Sequence, residues 1–469
     1  MATHMMWFRK DLRLEDNTAL NYALTSLDKK DKLLCVFHLD EQQFRIGCHA
    51  HDYFFSTLND FQKSAKEKGI FIRFLSGDLF SAFDNLKQQF PDWSDIYFNL
   101  DNRGYGLKRD LTALHFLESK EIRVTTFEEN HLHQATEITK PDGSSYKKFT
   151  PYYKRWLSLS KPIFQPDFNI PNIKQIKQDS EFFKEGDKLF KKLLNLRQTD
   201  FSLEVGEERA TEQLNDFVLN QLDSYEQERD FPGIDGTSRL SSHLSTGSIS
   251  IRKVFHACQA MPSSNGKDTF IKELAWRDFY HMIYHYHPDQ YKEELIEKYR
   301  QLPWQTSEEL FNKWKNGQTG YPIIDAAMRQ LQQTGWMHNR LRMLVASFLT
   351  KDLLIDWRLG ERYFAEQLID YDAASNIGGW QWAASTGTDA VPYFRIFNPT
   401  TQGKKFDKDG FFIKTYLPEL ASLPAKFIHE PSSMSSTEQE EFQFQVGIDY
   451  PKPIVDHKLA RSFALEWFK

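Results

Sequence analysis

Short apolar runs separated by helically spaced stretches fill the first 130 residues. Residues 5–8, 33–38, 70–75, 96–100 and 122–127 read as strands. Between the second and third, Phe54, Leu58, Phe61 and Ala65 recur at i, i+4, i+7 and i+11, the spacing of an amphipathic helix. This alternation predicts a doubly wound parallel sheet, with any ligand at the C-terminal strand ends. Residues 131–204 turn polar and irregular, with Pro141, Pro162, Pro166 and Pro171 and a lysine-rich stretch at 184–192, as expected of a long connection. Strand patterns nearly vanish after residue 205, and amphipathic helices follow to about 370, with a looser last hundred residues. The expected organisation is an α/β domain over 1–130, a linker over 131–204 and an all-α domain over 205–469.

Within the helical part, Glu273, Trp276, Arg277 and Tyr280 share one face, opposite Ile271, Ala275 and Met282. Acid, base and flat rings together suit either a ligand wall or a solvated face. His281 and His285 stand at i, i+4, which could serve a metal, although no third ligand follows at motif spacing. After the break at Thr334-Gly335, Leu341, Val345 and Phe348 form a stripe, while Asn339, Arg342 and Met343 take another side. A cavity wall has this pattern, and so does a helix packed through an Asn hydrogen bond and a salt-bridged Arg. Asp370, Tyr371 and Asp372 then lead to Asn376, Gly378, Gly379, Trp380 and Trp382, where the glycines permit the close backbone approach a flat buried ligand needs. Gly236-Thr237-Ser238-Arg239-Leu240-Ser241 opens a predicted helix with hydroxyl caps, a pattern that fits phosphate binding and plain capping equally.

Composition narrows the classes. Lys plus Arg total 59 against 65 Asp plus Glu, a net charge of −6, so any nucleic-acid role must rest on a local basic patch. The absence of G-x-G-x-x-G and Walker A sequences removes support for a dinucleotide dehydrogenase or a P-loop ATPase. Cys35, Cys48 and Cys258 make neither a disulfide framework nor a thiolate zinc site, in keeping with a reducing cytosol. Arg9, Lys10, Asp11 and Arg13 stand where a signal peptide needs an apolar core, and no run approaches the ~18 apolar residues of a membrane span, so a soluble cytoplasmic protein is expected. Seven of the 11 tryptophans, namely 276, 304, 314, 336, 357, 380 and 382, fall in one stretch, as a large aromatic core or as groups that stack or carry electrons.

Taken in order, these segments resemble the photolyase and cryptochrome flavoprotein family, most closely its class I cyclobutane pyrimidine dimer branch. The likeness covers nearly the whole chain. It rests on Met6-Trp7-Phe8-Arg9-Lys10-Asp11-Leu12-Arg13, on 236–241 and 273–280, and on Thr319-Gly320-Tyr321-Pro322. It continues through Trp336-Met337-His338-Asn339-Arg340, 376–382 and Asn398-Pro399-Thr400-Thr401-Gln402-Gly403.

The resemblance implies a U-shaped FAD in the helical domain. Tyr225, Thr237, Ser238, Arg239, Leu240 and Ser241 would hold its diphosphate, and Arg342 and Asp370 would form a salt bridge beside the ring. Asp372 would lie on the flavin and ribose side, Phe270 and Tyr371 at the pocket rim, and Asn376 opposite flavin N5 as a donor. The plant photoreceptor branch carries Asp at that last position. Glu273, Trp276, Asn339, Met343 and Trp382 would receive the dimer, Glu273 hydrogen-bonding its carbonyls and the two indoles forming an apolar wedge. The branch that repairs (6-4) photoproducts places two histidines where this chain has Asn339 and Met343. Arg229, Arg277, Tyr280, Arg340, Arg395, Gln402, Lys404 and Lys405 would line the approach of damaged DNA.

The implied reaction is electron donation from light-excited reduced FAD, with Trp380, Trp357 and Trp304 as a chain that re-reduces oxidised flavin. A second, antenna chromophore of folate, deazaflavin or flavin type is implied, although residues 102–109 lack the Asn-Glu pair of folate-binding members. A monomer acting on dimer-containing DNA is expected. A cryptochrome-like photoreceptor and a His-based metallohydrolase are the competing classes.

Overall fold

The computed structural model describes residues 2–166, 174–175 and 181–469; Pro171, one of the linker prolines, lies outside them. Strands β1 (Thr3–Phe8), β2 (Lys32–Leu39), β3 (Ile72–Ser76), β4 (Trp93–Asn99) and β5 (Arg123–Phe127) alternate with helices α1 (Thr18–Ser26), α2 (His49–Glu67), α3 (Leu79–Gln89) and α4 (Gly104–Ser119). The strands pair in parallel in the order β3-β2-β1-β4-β5. The central strand β1 is buried on both faces, which is why it reads as an unbroken apolar run. Met6 and Phe8 enter the core formed with α1 and α2, and Met5 and Trp7 enter the one on the opposite face.

The remaining helices are α5 (Phe149–Ser158), α6 (Lys184–Asn195), α7 (Glu207–Asp216), α8 (Tyr225–Glu228), α9 (Ser241–Thr246), α10 (Ile251–Ala260) and α11 (Asn265–Tyr286). They continue with α12 (Glu308–Lys315), α13 (Pro322–Thr334), α14 (Asn339–Ser347), α15 (Trp357–Gln367), α16 (Ala373–Ala383), α17 (Pro399–Phe406), α18 (Phe411–Tyr416), α19 (Ala425–Ile428), α20 (Ser436–Glu441) and α21 (His457–Trp467). The lysine-rich stretch is not an irregular connection. It is α6, whose Phe190 ring stacks on Phe74 at 4.1 Å, covering the β3 side of the sheet. Gly186 allows this approach, since a Cβ there would lie 2.0 Å from the Phe74 carbonyl oxygen.

Compactness divides the chain differently from the 1–130, 131–204 and 205–469 segmentation. One unit gathers Met1–Asp142, Tyr153–Leu222 and Ser238–Pro288; the other gathers Gly143–Tyr152, Asp223–Thr237 and Asp289–Lys469. In the first unit, helices from beyond residue 205 join the α/β part through buried ion pairs. Arg252 of α10 donates to Asp16 at 2.7 Å and Glu129 at 3.3 Å, and Arg13 donates to Glu129 at 2.7 Å. Burial would push the Glu129 carboxyl up, but Arg13 and Arg252 hold it below the usual range. Gly247 ends α9 at φ 74°, and a Cβ there would meet the Lys10 carbonyl oxygen at 2.1 Å, so the loop after β1 seats on it.

On α11, buried Asp278 accepts from Trp156 Nε1 at 2.8 Å and from the His133 amide at 3.1 Å through one oxygen, while Oδ1 has no partner. Burial pushes this carboxyl up to about 6. The neutral acid is therefore favoured by folding. That contribution, about 3 kcal/mol, is present below the unfolded aspartate range and is lost as pH rises through 6. Thermal melts from pH 4 to 7 are expected to show a declining melting temperature in the parent and a flatter profile in Asp278→Asn; parallel profiles would rule out this assignment.

The second unit is helical, with two isolated bridges as its only strand-like pairing among the described residues. Its C-terminal part is pinned rather than loose. Asp325 accepts from the Thr319 amide at 2.7 Å, the Gly320 amide at 3.0 Å and the Tyr450 hydroxyl, and Asp407 accepts from the Phe412 and Ile413 amides at 3.0 and 2.9 Å.

Candidate functional site

Residues assigned to one cofactor are divided between the two units. In the second unit, α14 packs on α16 and carries Asn339, Arg342 and Met343 along one side, as their spacing requires. Arg342 donates to Asp370 Oδ2 at 2.7 Å and to the Met337 carbonyl at 2.8 Å. Asp370 is buried, and its Oδ1 has no partner. Asp372 caps α16 by accepting from the Ser375 amide at 2.9 Å. Along α16, Gly379 lies one turn beyond Asn376, and a Cβ on it would meet nothing within 4 Å.

Asn376 differs from expectation. Its Nδ2 donates to Glu361 Oε1 at 3.0 Å and to the Glu361 carbonyl at 3.2 Å, so the end left for a ligand is Oδ1, an acceptor rather than a donor. Tyr371 donates to the same Glu361 oxygen at 3.2 Å. No spacing in the sequence singles out Glu361, which holds two of the predicted site residues.

Several of the expected DNA-facing cations already have partners. Arg340 bonds Asp230 at 2.5 Å and lies 4.6 Å over the Phe406 ring, and Arg229 lies 5.2 Å over Tyr225. Lys404 sits 3.6 Å from Glu430, and Lys405 lies over Phe406. Arg395 is exposed, as is Asn339, while Met343, Trp382 and Gln402 are half-buried.

In the first unit, the hydroxyl cap expected before α9 is not made. Leu240 occupies the cap position with no side-chain bond, Ser238 Oγ accepts from the Leu240 amide at 3.4 Å, and Arg239 adopts φ 49°. Thr237, in the other unit, is half-buried, and Ser241 is exposed. On α11, Glu273, Trp276, Arg277 and Tyr280 are all half-buried, and the indole of Trp276 stacks on Tyr280 at 5.7 Å. Arg277 donates to the Asn130 carbonyl, and burial pushes its guanidinium down to about 10. Phe270 is a core residue, with its ring 4.6 Å from Phe217.

His281 is buried and stacked on His131 at 3.8 Å, while His285 is exposed. Among the described residues no three His, Cys, Asp or Glu side chains group as metal ligands. No helix among them is long and apolar enough to cross a membrane.

Of the three chain tryptophans, Trp357 and Trp380 are buried and Trp304 is half-buried. Trp380 is also core packing, 6.1 Å from Trp314 and 5.1 Å from Phe364.

A parallel α/β sheet and a helical unit holding a half-satisfied buried carboxylate define a protein of mixed α/β and all-α architecture. The chain belongs to the DNA photolyase family. The profile described as DNA photolyase matches residues 4–171, and that of the FAD binding domain of DNA photolyase matches 270–469. The chain is 47% identical to a deoxyribodipyrimidine photo-lyase of Alkalihalophilus pseudofirmus over 99% of its own length and 97% of the relative's. A class III photolyase from Agrobacterium tumefaciens superposes with TM-score 0.90 at 34% identity, covering 100% of this chain and 97% of that one. An archaeal photolyase from Sulfolobus tokodaii, described with two FAD molecules that imply a novel light-harvesting cofactor, gives 0.84 at 30% identity, covering 99% of each. The residues present fit the cofactor: Asp370 Oδ1 and Asn376 Oδ1 are acceptors left for a ligand, and FAD brings ring N–H and ribityl O–H donors.

Proposed function

We propose that the protein repairs cyclobutane pyrimidine dimers in DNA under light. The observation that carries this reading is Asn376, a neutral amide whose donor end is fixed by Glu361 and whose oxygen is left open. A carboxylate at that position would place repulsive charge against an anionic reduced flavin, and it is the residue of the plant photoreceptor branch. Bound reduced FAD, when excited by light, supplies an electron that opens the fused ring and returns afterwards.

The chain's own residues prepare the site. Arg342 neutralises Asp370, leaving one carboxylate oxygen to orient a donor. The resemblance assigns Trp276 and Trp382 to the apolar faces that receive an extruded pyrimidine pair, and Glu273 to its polar edge. Extrusion is cheapest for a lesion, because a fused pair stacks poorly in the duplex. The resemblance assigns Tyr225 and residues 237–241 to the diphosphate, which they would hold. Residues 1–130 carry the antenna role and 205–469 the flavin and the lesion, in a cytoplasmic monomer. The antenna is a second chromophore of folate, deazaflavin or flavin type, and Arg103 in place of the acid of the folate pair weighs towards the flavin types.

The test is dimer content in irradiated DNA incubated with reduced holoprotein. Loss of dimers under illumination and none in darkness is expected. Equal repair in darkness, or none in light with reduced FAD bound, would refute the reading.

A further inference from the structure

Glu294, a residue that no sequence pattern marks, is 1% exposed. Its Oε1 accepts from two indoles, Trp357 Nε1 at 3.2 Å and Trp304 Nε1 at 3.3 Å, so the two nitrogens are no farther apart than the sum of those bonds. Its Oε2 accepts from Arg358 at 2.7 Å. The same guanidinium lies 4.8 Å over the Trp357 ring. No cation lies over the Trp304 ring among the described residues. Trp380 reaches this group through α15. At Gly360, three residues beyond Trp357, a Cβ would lie 2.1 Å from Trp380 Cη2, so the third indole rests on α15 one turn from the second.

We infer that Glu294 is the positioning residue that locks Trp357 and Trp304 together and, with Arg358, sets the direction in which an oxidising equivalent moves between them. The inference rests on reading the three tryptophans as electron donors to the flavin. Losing an electron puts positive charge on an indole and makes its N–H a stronger donor. A carboxylate at that N–H favours the oxidised ring, the more so because Trp357 is fully buried and the local dielectric is low. Since one oxygen serves both indoles, this preference is common to the pair. Arg358 breaks the symmetry.

A cation over a ring opposes positive charge developing in it, so charge on Trp357 is penalised relative to Trp304. Trp304 is also half-buried, where solvent can stabilise charge. When an oxidising equivalent reaches Trp357 from Trp380, one electron passes from the Trp304 ring to the Trp357 ring. Trp304 is oxidised and Trp357 restored, no bond breaks, and the Trp304 proton stays in its hydrogen bond to Glu294. An external reductant such as a thiol then resets Trp304.

Glu294→Gln tests this with little change of volume. In protein labelled with 15N at the indoles, resonances of Trp304 and Trp357 should move upfield while other indoles stay in place, a signature that does not depend on turnover. Flash photolysis of oxidised holoprotein should show the yield of long-lived oxidised tryptophan falling about tenfold, as expected when a charge-assisted hydrogen bond becomes a neutral one. Unmoved indole resonances, or a parent-like yield, would overturn the inference. Should Glu294→Gln not fold, Arg358→Gln leaves the carboxylate in place and should shift oxidised tryptophan from Trp304 towards Trp357, shortening its lifetime; a parent-like lifetime counts against the inference. Trp380→Phe separates the two levels. If it leaves photoreduction at the parent rate, the tryptophan-chain reading fails; if it slows photoreduction while Glu294→Gln does not, only the role of Glu294 fails.

Discussion

Arg342→Ala is expected to purify nearly without flavin and to melt well below the parent. Removing the guanidinium takes the 2.7 Å partner from a carboxylate whose side chain is 3% exposed and whose other oxygen has no donor. Breaking a buried pair from one side costs about 3–5 kcal/mol, because the remaining charge keeps its desolvation penalty without compensation. The Met337 carbonyl loses its donor as well. Arg342→Lys should retain part of the flavin, since an ammonium restores charge without the forked geometry. Flavin absorbance per chain and a melting curve measure both effects. Parent-like flavin content in Arg342→Ala would remove the Arg342–Asp370 pair from the cofactor site.

Trp276→Ala is expected to lower affinity for dimer-containing duplex by roughly tenfold to a hundredfold while leaving intact duplex within about twofold. Stacking of a base on an aromatic ring contributes about 1–3 kcal/mol, and intact DNA presents no extruded base to receive it. The ring is already held against Tyr280, so little ordering offsets the gain. Lys404→Ala should behave differently. Its ammonium is more than half exposed and only 3.6 Å from Glu430, so its loss should weaken both DNAs and flatten the log-log salt slope by about 0.9. Titrations of both variants on both duplexes at several salt concentrations would reveal the difference; equal losses for Trp276→Ala would take it out of the lesion pocket.

How much of this was legible follows from how each feature is encoded. Strands buried on both faces leave continuous apolar runs, and each of the five expected segments overlaps an observed strand, with β3 beginning two residues later than its run suggested. The face of α11 was readable because i, i+3, i+4 and i+7 suffice to align Glu273, Trp276, Arg277 and Tyr280. The helix α6 carries an equally clear stripe, Leu189, Phe190, Leu193 and Leu194, which its many lysines masked, whereas its close contact at Gly186 with a backbone carbonyl of β3 leaves no pattern in the sequence.

Single buried carboxylates were invisible. Asp278 meets Trp156 and His133 across 122 and 145 residues, and Glu294 meets Trp357 across 63. Periodicity reports the neighbours on one helix, never a partner on another. The cap before α9 failed for the opposite reason: hydroxyls were abundant, but the helix begins one residue after Leu240, out of their register.

The gathering of Ser238–Pro288 into the same unit as the sheet has a consequence for how the chain is made. Asp16 and Glu129 leave the ribosome long before Arg252, by on the order of ten seconds at ordinary elongation rates. Over that interval Glu129 already has Arg13, but Asp16 lacks its guanidinium partner and must stay hydrated. The unit therefore completes itself only after α10 and α11 have been translated, and a fragment ending at residue 130 would be arrested in the hydrated, unfinished form.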